Sequence, residues 1–468
     1  MDYPDYLGAP AQLPGRGESA RPAVIRNWRH AEWLAVAAVC FGAITSALDS
    51  GVITVSYPRF VHVMHRPLSQ VSWLGLAPLI TVVATLILFG KRADAVGRKR
   101  VYIDGFAMFV LGALGCFLCA TSFYALVAFR VVEALGVAMV QANSVALIAA
   151  SVHNHNRTTA LGIQATAQAI GLASGPFLGG LLGGVIPWRG LFLISAPLAL
   201  VAVVLPALFL PRSRTVAPAE RLDLAGSLAL AVAAAGLIGG LTMAAKNGWR
   251  GPTLGLVALG IVAAIALVPI ERRARAPIFM PSVFIGPGVR RALGNLIVTY
   301  ITFFALLVAV PFLVERDFHR STAVGGAATM AIPMGLALMA PFIGVIRRTL
   351  SARVIVIAAN WSILAGVLLA TLSATLVPAI AGLVLVGLAI GASNTANNVT
   401  VMEGVDIFSR GVASGTVNLV RAAGSALGVA MSSTVIVAFG HHSIRPAMSA
   451  AVIVAVLGAT LAMWPQRP

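Results

Sequence analysis

Charged side chains are scarce in this sequence. They make up 10% of its 468 residues, whereas hydrophobic residues make up 59%; a soluble domain carries about 25% charged residues. So few charges cannot cover the surface of a water-soluble protein of this length. The deficit excludes a soluble globular protein and indicates that most of the surface faces the hydrocarbon of a lipid bilayer.

Acidic residues and cysteines are rarer still. Fifteen Asp and Glu stand against 33 Lys and Arg, but the cations form small clusters between apolar runs, which is typical of membrane topology and not of nucleic-acid binding. Of the three cysteines, Cys116 and Cys119 have a CxxC spacing, but they lie inside a predicted apolar helix, where a packing role is expected. No phosphate-binding, dinucleotide-binding, hydrolase or zinc-protease motif is present. We therefore expect neither an enzyme, nor a metal site, nor a bound cofactor.

Apolar runs long enough to cross a bilayer recur along the chain. A spanning helix needs about 20 mostly apolar residues, and the sequence predicts fourteen such helices, numbered here in chain order. The runs lie at 33–56, 72–90, 101–121, 123–150, 160–184, 190–210, 223–245, 252–270, 292–314, 323–346, 353–372, 375–400, 412–439 and 447–464.

The positions of Lys and Arg predict the orientation. With the N-terminus in the cytoplasm, 23 of the 33 cations fall in inner segments and eight in outer loops, as the positive-inside rule requires. Both termini are then cytoplasmic. The abundance of Arg, Ala and Gly suggests a GC-rich bacterial genome, so we expect a multi-pass protein of a bacterial inner membrane.

The chain also matches itself at an offset of 253 residues, which predicts two similar six-helix halves in the same orientation around a central site. The predicted parts are a flexible cytoplasmic tail at 1–30, an N-terminal half at 31–210, a linker with two extra helices at 211–291, and a C-terminal half at 292–468. The matching pairs are Arg157 with Arg410, Gly162 with Gly415, Gly171 with Gly424, and Gly175 with Gly428.

Two acids lie deep inside predicted helices, where a charge costs at least about 2.5–3.5 kcal/mol. Asp49 is in helix 1, and Glu133 in helix 4 shares a face with Arg130. Both Asp49 and Arg130 lie about 10–12 Å below the predicted outer end, so the two can pair. A static ion pair that fixes two helices is one interpretation. The other is a proton site, because burial disfavours an ionised acid and a nearby cation favours it.

The segment GKRADAVGRKR between helices 2 and 3 packs five cations and one acid into a tight hairpin. It resembles the loop signature of the major facilitator superfamily, a family of membrane transporters. The resemblance implies that Gly90, Asp94, Gly97 and Arg98 form a latch that holds the outward-facing state. The corresponding segment of the second half has Arg348 in place of the acid, so a second latch is degenerate.

Helix 5 contains GLASGPFLGGLLGG. Small residues spaced by four line one face and allow close helix packing, and a proline adds a kink. The string is also similar to the antiporter signature of the superfamily, which implies export. The signature residues are Gly171, Gly175, Pro176, Gly179 and Gly180.

Two further segments resemble the fourteen-helix drug:proton antiporters of this superfamily. They are LDSGVITVSYP around Asp49 and RVVEALG, in which Glu133 stands where the family has glutamine. The resemblance implies that Asp49 carries a proton, that Arg130 tunes it, and that Glu133 assists or contacts cations. The second acid leaves open whether one or two protons move per cycle.

Other polar residues inside helices are candidates for lining a central substrate cavity, although hydrogen bonding between helices is the alternative for each. The candidates are Gln141, Asn143, Gln164, Gln168, Asn295, Thr299, Asn418 and Arg421.

The sequence therefore predicts an all-α membrane protein with the fold of the major facilitator superfamily: two six-helix halves plus two extra helices. We expect a monomeric exporter in the lipid bilayer that exchanges protons, driven by the proton motive force, for lipophilic or cationic small molecules. The motifs leave open export of an endogenous lipid or secondary metabolite. A membrane-embedded enzyme or a receptor would be the alternative class, but no cluster of His or Asp at one interface supports it.

Overall fold

The computed structural model describes residues 31–119, 122–153, 156–210, 224–247, 250–273, 286–339, 342–405, 410–439 and 443–463. The predicted tail at 1–30 lies outside these residues. All regular structure within them is helical, and fourteen long helices occupy the predicted positions. They are α1 (Ala31–Val55), α2 (Trp73–Val96), α3 (Arg98–Leu118), α4 (Phe123–Ser151), α5 (Arg157–Gly183), α6 (Ala196–Phe209), α7 (Leu224–Asn247), α8 (Gly251–Arg273), α9 (Pro287–Phe312), α10 (Thr322–Met339), α11 (Ala352–Leu372), α12 (Leu376–Glu403), α13 (Arg410–Phe439) and α14 (Arg445–Met463).

Thirteen helical segments in the described part of the chain are long and apolar enough to cross a membrane. Of the fourteen predicted spans, α5 is the one whose hydropathy is too low to be counted among them. Its 27 residues are sufficient in length, but its Gly, Gln and Thr residues lower the hydropathy. It packs against α1 and α10, so much of its surface meets protein. The prediction of an all-helical membrane protein is confirmed.

Two short helices were not predicted, Tyr57–Met64 and Leu68–Val71 between α1 and α2. A third, Ile343–Ile346, lies within the predicted run 323–346 but is separate from α10. A 3-10 turn at Trp188–Leu193 precedes α6. Each of these segments is too short to produce the long apolar run by which spanning helices are recognised.

Helix packing repeats between the first six and the last six helices. In each set the first helix packs on the fifth, the second on the fourth, and the third on the fourth and sixth. The repeat offset of 253 also recurs in contacts between helices. A methyl group added at the glycines of the fifth helix would collide with a carbonyl of the first helix at equivalent positions: Gly171 on Ile44, Gly424 on Ile297, Gly175 on Leu48, and Gly428 on Ile301.

The two sets of six helices meet along two seams, α2 with α13 and α5 with α10. These seams are equivalent, because each joins the second helix of one set to the fifth of the other. Helix α7 lies against α2 and α13, and α8 packs mainly on α7. The division of the chain at 210 and 291 stays a prediction, and this packing favours it.

The hairpin between α2 and α3 is tighter than a ten-residue loop. Helix α2 continues through the charged segment to Val96, and α3 begins at Arg98. Gly97 alone makes the turn, with a φ of 110° that a side chain would strain. Lys99 then donates hydrogen bonds to the carbonyls of Ala207 and Leu210 at the end of α6, at 2.8 and 2.7 Å, where a helix C-terminus attracts cations.

Candidate functional site

A cavity of about 800 Å³ lies between the two sets of six helices. Its wall combines residues of α1, α2, α4 and α5 with residues of α9, α10, α12 and α13. Near one end of α5, Gly180 touches Gly326 of α10. Near the other end, Gly162 lines the cavity, and outside its own helix no atom lies within 4 Å of the point where a Cβ would be. The two sets of helices are therefore in contact near Gly180, whereas Gly162 faces empty space among the described residues.

Asp49, Arg130 and Glu133 form one buried cluster at the wall of this cavity. Nη1 of Arg130 donates to Asp49 Oδ2 at 2.8 Å and to Glu133 Oε2 at 2.6 Å. All three side chains are at most 5% exposed. The same nitrogen of Arg130 therefore contacts one oxygen of each carboxyl group. The Asp49–Arg130 contact predicted from helix depth is present, and Glu133 joins it.

Neighbouring helices hold the cluster in place. Arg130 Nε donates to the Leu74 carbonyl of α2 at 3.1 Å, and Ser195 Oγ donates to Asp49 Oδ1 at 3.3 Å. Gly112 of α3 faces the backbone of Glu133 so closely that a Cβ there would lie 2.6 Å from the Glu133 nitrogen. Five helices or their ends therefore converge on these three charges.

The charges of the cluster do not balance. One guanidinium faces two carboxyl groups, so the cluster carries a net charge of −1 when both acids are ionised. Among the described residues no donor reaches Glu133 Oε1, which is buried. A buried carboxylate oxygen without a donor is costly, and two carboxyl groups attract each other only when one of them holds a proton. The geometry therefore suits a cluster with one proton.

The glycine-rich stretch of α5 packs on two helices. Gly171, Gly175 and Gly179 face α1, while the Pro176 carbonyl and Gly180 face Gly326 of α10. A Cβ at Gly180 would lie 2.8 Å from the Thr322 carbonyl and 2.9 Å from Gly326 Cα. The predicted close approach of helices is present. The contact of α5 with α10 is one of the two seams between the sets of six helices.

The four predicted latch residues lie in or beside the hairpin. Gly97 makes the turn, Arg98 begins α3, and Asp94 lies in the last turn of α2. The structure does not describe the side chain of Asp94. Among the described residues, nothing beyond its own helix lies within 4 Å of the Cβ position of Gly90, so no other helix packs against Gly90 in this conformation. The latch itself stays a prediction.

Half of the candidate cavity residues line the cavity. Gln141, Gln168, Asn418 and Arg421 are in its wall, whereas Asn143, Gln164, Asn295 and Thr299 are not.

Asn295 shows why some of these positions were wrong. Its Oδ1 accepts from Asn397 at 2.8 Å and from Ser393 at 3.0 Å, so it joins α9 to α12 inside the second set of helices. Asn143 and Thr299 are equally buried and donate to carbonyls of their own helices at 2.8 Å. Hydrogen bonding within and between helices, the stated alternative, is what these residues do.

Several residues of the cavity wall were not predicted. Tyr300 and Asn394 contact Arg421, and Asn398 donates to Asn394 at 3.4 Å. The repeat could have found Asn394, because it lies 253 residues after Gln141, itself a candidate. Outside the cavity, Arg347 pairs with Glu403 at 3.2 Å, which gives the degenerate second loop an ion pair with α12.

Comparisons with known proteins agree with this architecture. Residues 39–223 match the family model described as Major Facilitator Superfamily. The chain is 27% identical to the riboflavin transporter RibZ of Clostridioides difficile, over 86% of this chain and 88% of that protein. It is also 27% identical to the multidrug resistance protein Stp of Mycobacterium tuberculosis, over 90% and 78%.

A solved structure shares the fold. A bacterial homologue of the human lysosomal transporter Spinster, in an inward-facing and unoccupied conformation, superposes with a TM-score of 0.64 and 16% identity. The match covers 93% of this chain and 96% of that one.

Proposed function

We propose that the chain, a transporter of the major facilitator superfamily, exports lipophilic or cationic small molecules in exchange for protons. The observation that carries the proposal is the cluster of two carboxyl groups on one guanidinium, Asp49 and Glu133 on Arg130, at the cavity wall. Similarity to a multidrug resistance protein supports the substrate class.

In our scheme the cluster takes up one proton, which Asp49 and Glu133 share. The proton makes the cluster neutral, so the cavity can change its exposure without carrying an unbalanced charge through the membrane. Loss of the proton leaves a net negative charge that attracts a cationic substrate. For an uncharged substrate, one proton moving inward through 100 mV supplies about 2.3 kcal/mol. Exchange of one proton for a monovalent cation moves no net charge, so the pH gradient drives export of such a cation.

Alternating access follows from the seams between the halves. In our scheme the contact of Gly180 with Gly326 closes one end of the cavity, and the other end opens near Gly162, which lines the cavity. With the orientation predicted from Lys and Arg, the open end faces the cytoplasm, where a substrate for export would enter. Rocking of the two halves would then close this end and separate Gly180 from Gly326.

The test is substrate-linked proton flux in proteoliposomes, with ethidium as the transported cation and an internal pH-sensitive dye. Asp49→Asn and Glu133→Gln are expected to uncouple ethidium movement from proton movement. Asp104→Asn is the matched control, because Asp104 lies on α3 with 58% of its side chain exposed. Full coupling in both cluster variants would refute the proton assignment. A protonophore should also abolish ethidium efflux from cells that express the wild type.

A second candidate function is the transport of an endogenous metabolite, which the similarity to a riboflavin transporter favours. Deletion of the gene and comparison of metabolites inside and outside the cell would distinguish the two: an intracellular metabolite that accumulates supports this candidate.

A further inference from the structure

The cavity wall carries a second charged position, which the proton scheme does not use. Among the lining residues that the structure describes, the charged ones are Asp49, Arg130, Glu133 and Arg421. The first three contact one another within the cluster, where Arg130 binds both carboxyl groups. Arg421 comes from α13 in the second half, which contributes no carboxylate to this wall.

The partners of Arg421 are neutral. Its Nη2 donates to Asn394 Oδ1 at 3.1 Å, and its guanidinium lies over the Tyr300 ring, 5.7 Å from the centroid. Asn394 in turn reaches the Tyr300 hydroxyl at 3.5 Å. Among the described residues nothing accepts a hydrogen bond from Arg421 Nε. The aromatic ring and the amide fix the orientation of the guanidinium without balancing its charge.

The repeat places this group opposite a neutral counterpart. Arg421 lies 253 residues after Gln168, and Asn394 lies 253 residues after Gln141; all four line the cavity. Tyr300 is 253 residues after Ala47, within one helical turn of Asp49. The guanidinium is therefore at about the depth of the acidic cluster, on the other half of the wall.

A cation at membrane depth without an acidic partner is costly. If Arg421 only joined helices, a neutral donor such as the glutamine of the first half would serve equally well. A guanidinium instead presents a fork of donors that matches a carboxylate, and such charge-assisted pairs are about twice as strong as neutral hydrogen bonds.

We propose that Arg421, held by Asn394 and Tyr300, binds an anionic group of the transported molecule, specifically a carboxylate. This inference rests on the proposed export function and specifies one class of its substrates, amphiphiles with a carboxylate at one end. The other end, apolar or cationic, lies toward Asp49 and the first half. Cationic dyes without a carboxylate then bind only at the part of the cavity near Asp49 and the first half, without contacting Arg421.

The test compares two dyes that differ at one group: rhodamine 110, which has a free carboxylate, and rhodamine 123, its methyl ester. Equilibrium binding to the purified full-length protein in detergent is measured by fluorescence anisotropy at one pH, with no proton gradient. The wild type is expected to bind the acid more tightly than the ester. Arg421→Gln should weaken binding of the acid about tenfold and change that of the ester less than twofold, and Arg421→Lys should recover part of the loss.

A second variant protects the test against misfolding. Asn394→Asp keeps the shape of the side chain but places a carboxylate on Arg421 Nη2, so it should displace the acid dye and leave the ester. Arg353→Gln, at an exposed position in the first turn of α11, is the control. Equal binding of both dyes by the wild type, or equal loss of both in the variants, would overturn the inference. Because no gradient is applied, either result is independent of whether transport is proton-coupled.

Discussion

Replacing Gly175 or Gly428 by alanine is expected to destabilise the protein, because each glycine touches the backbone of a neighbouring helix. An added methyl group would collide with the carbonyl of Leu48 in the first case and of Ile301 in the second. A backbone carbonyl cannot rotate away as a long side chain can. The neighbouring helix must shift instead, and overpacking of this kind costs about 1–3 kcal/mol.

Gly162→Ala and Gly415→Ala are the matched controls. These glycines form the equivalent pair earlier in α5 and α13, and outside their own helices nothing lies within 4 Å of their Cβ positions. Alanine also gains helix propensity of about 1 kcal/mol over glycine in water. That gain is common to all four variants, so it cancels in the comparison.

The assay is unfolding by sodium dodecyl sulfate in mixed micelles, followed by circular dichroism. Gly175→Ala and Gly428→Ala should each unfold with a free energy lower than that of the controls by about 1–3 kcal/mol, and by similar amounts. Equal stability of the two pairs would show that the first and fifth helices of each half do not approach this closely. A large effect at one site alone would refute the equivalence of the two halves.

Three further predictions concern the cluster, the second half and the latch. Arg130→Gln leaves the acids buried without their cation, so it should lower the unfolding free energy by about 3–5 kcal/mol; if adding Glu133→Gln restores no stability, the charge argument fails. Asn295→Ala leaves buried donors without an acceptor and should cost about 1–3 kcal/mol, yet ethidium affinity should stay within twofold, since Asn295 is not in the cavity wall. Asp94→Asn should weaken the outward-facing state, which would appear as faster maleimide labelling of Gly162→Cys; unchanged labelling would argue against the latch.

Much of the fold follows from hydropathy and from the repeat. The predicted run 353–372 corresponds to α11 at Ala352–Leu372, and the offset of 253 reappears in the glycine contacts. Helix ends were less predictable where helices leave the hydrocarbon. Helix α2 continues to Val96, because Lys, Arg and Ala form helices well in water too. A prediction from hydropathy instead ends the helix at the first charged residues. The position of α7 beside α2 and α13 could not be predicted, since hydropathy does not specify neighbours.

The candidate site was also predictable in part. The contact of Asp49 with Arg130 was predictable, because depth along two helices can be counted from their ends and buried opposite charges must pair. The positions of Asn295 and Thr299 were not, because a polar residue inside a membrane helix satisfies its hydrogen bonds equally well at a helix interface or in a cavity. Which face meets the cavity depends on helix rotation, and these helices are too uniformly apolar to reveal it.

The central claim is that Asp49 and Glu133 share a proton that substrate binding displaces. It is tested most directly by measuring protons released when ethidium binds to the purified protein in weakly buffered detergent solution. We predict release of about one proton per bound ethidium from the wild type and none from the double variant Asp49→Asn/Glu133→Gln. Tight binding of ethidium to the wild type without proton release would contradict the claim.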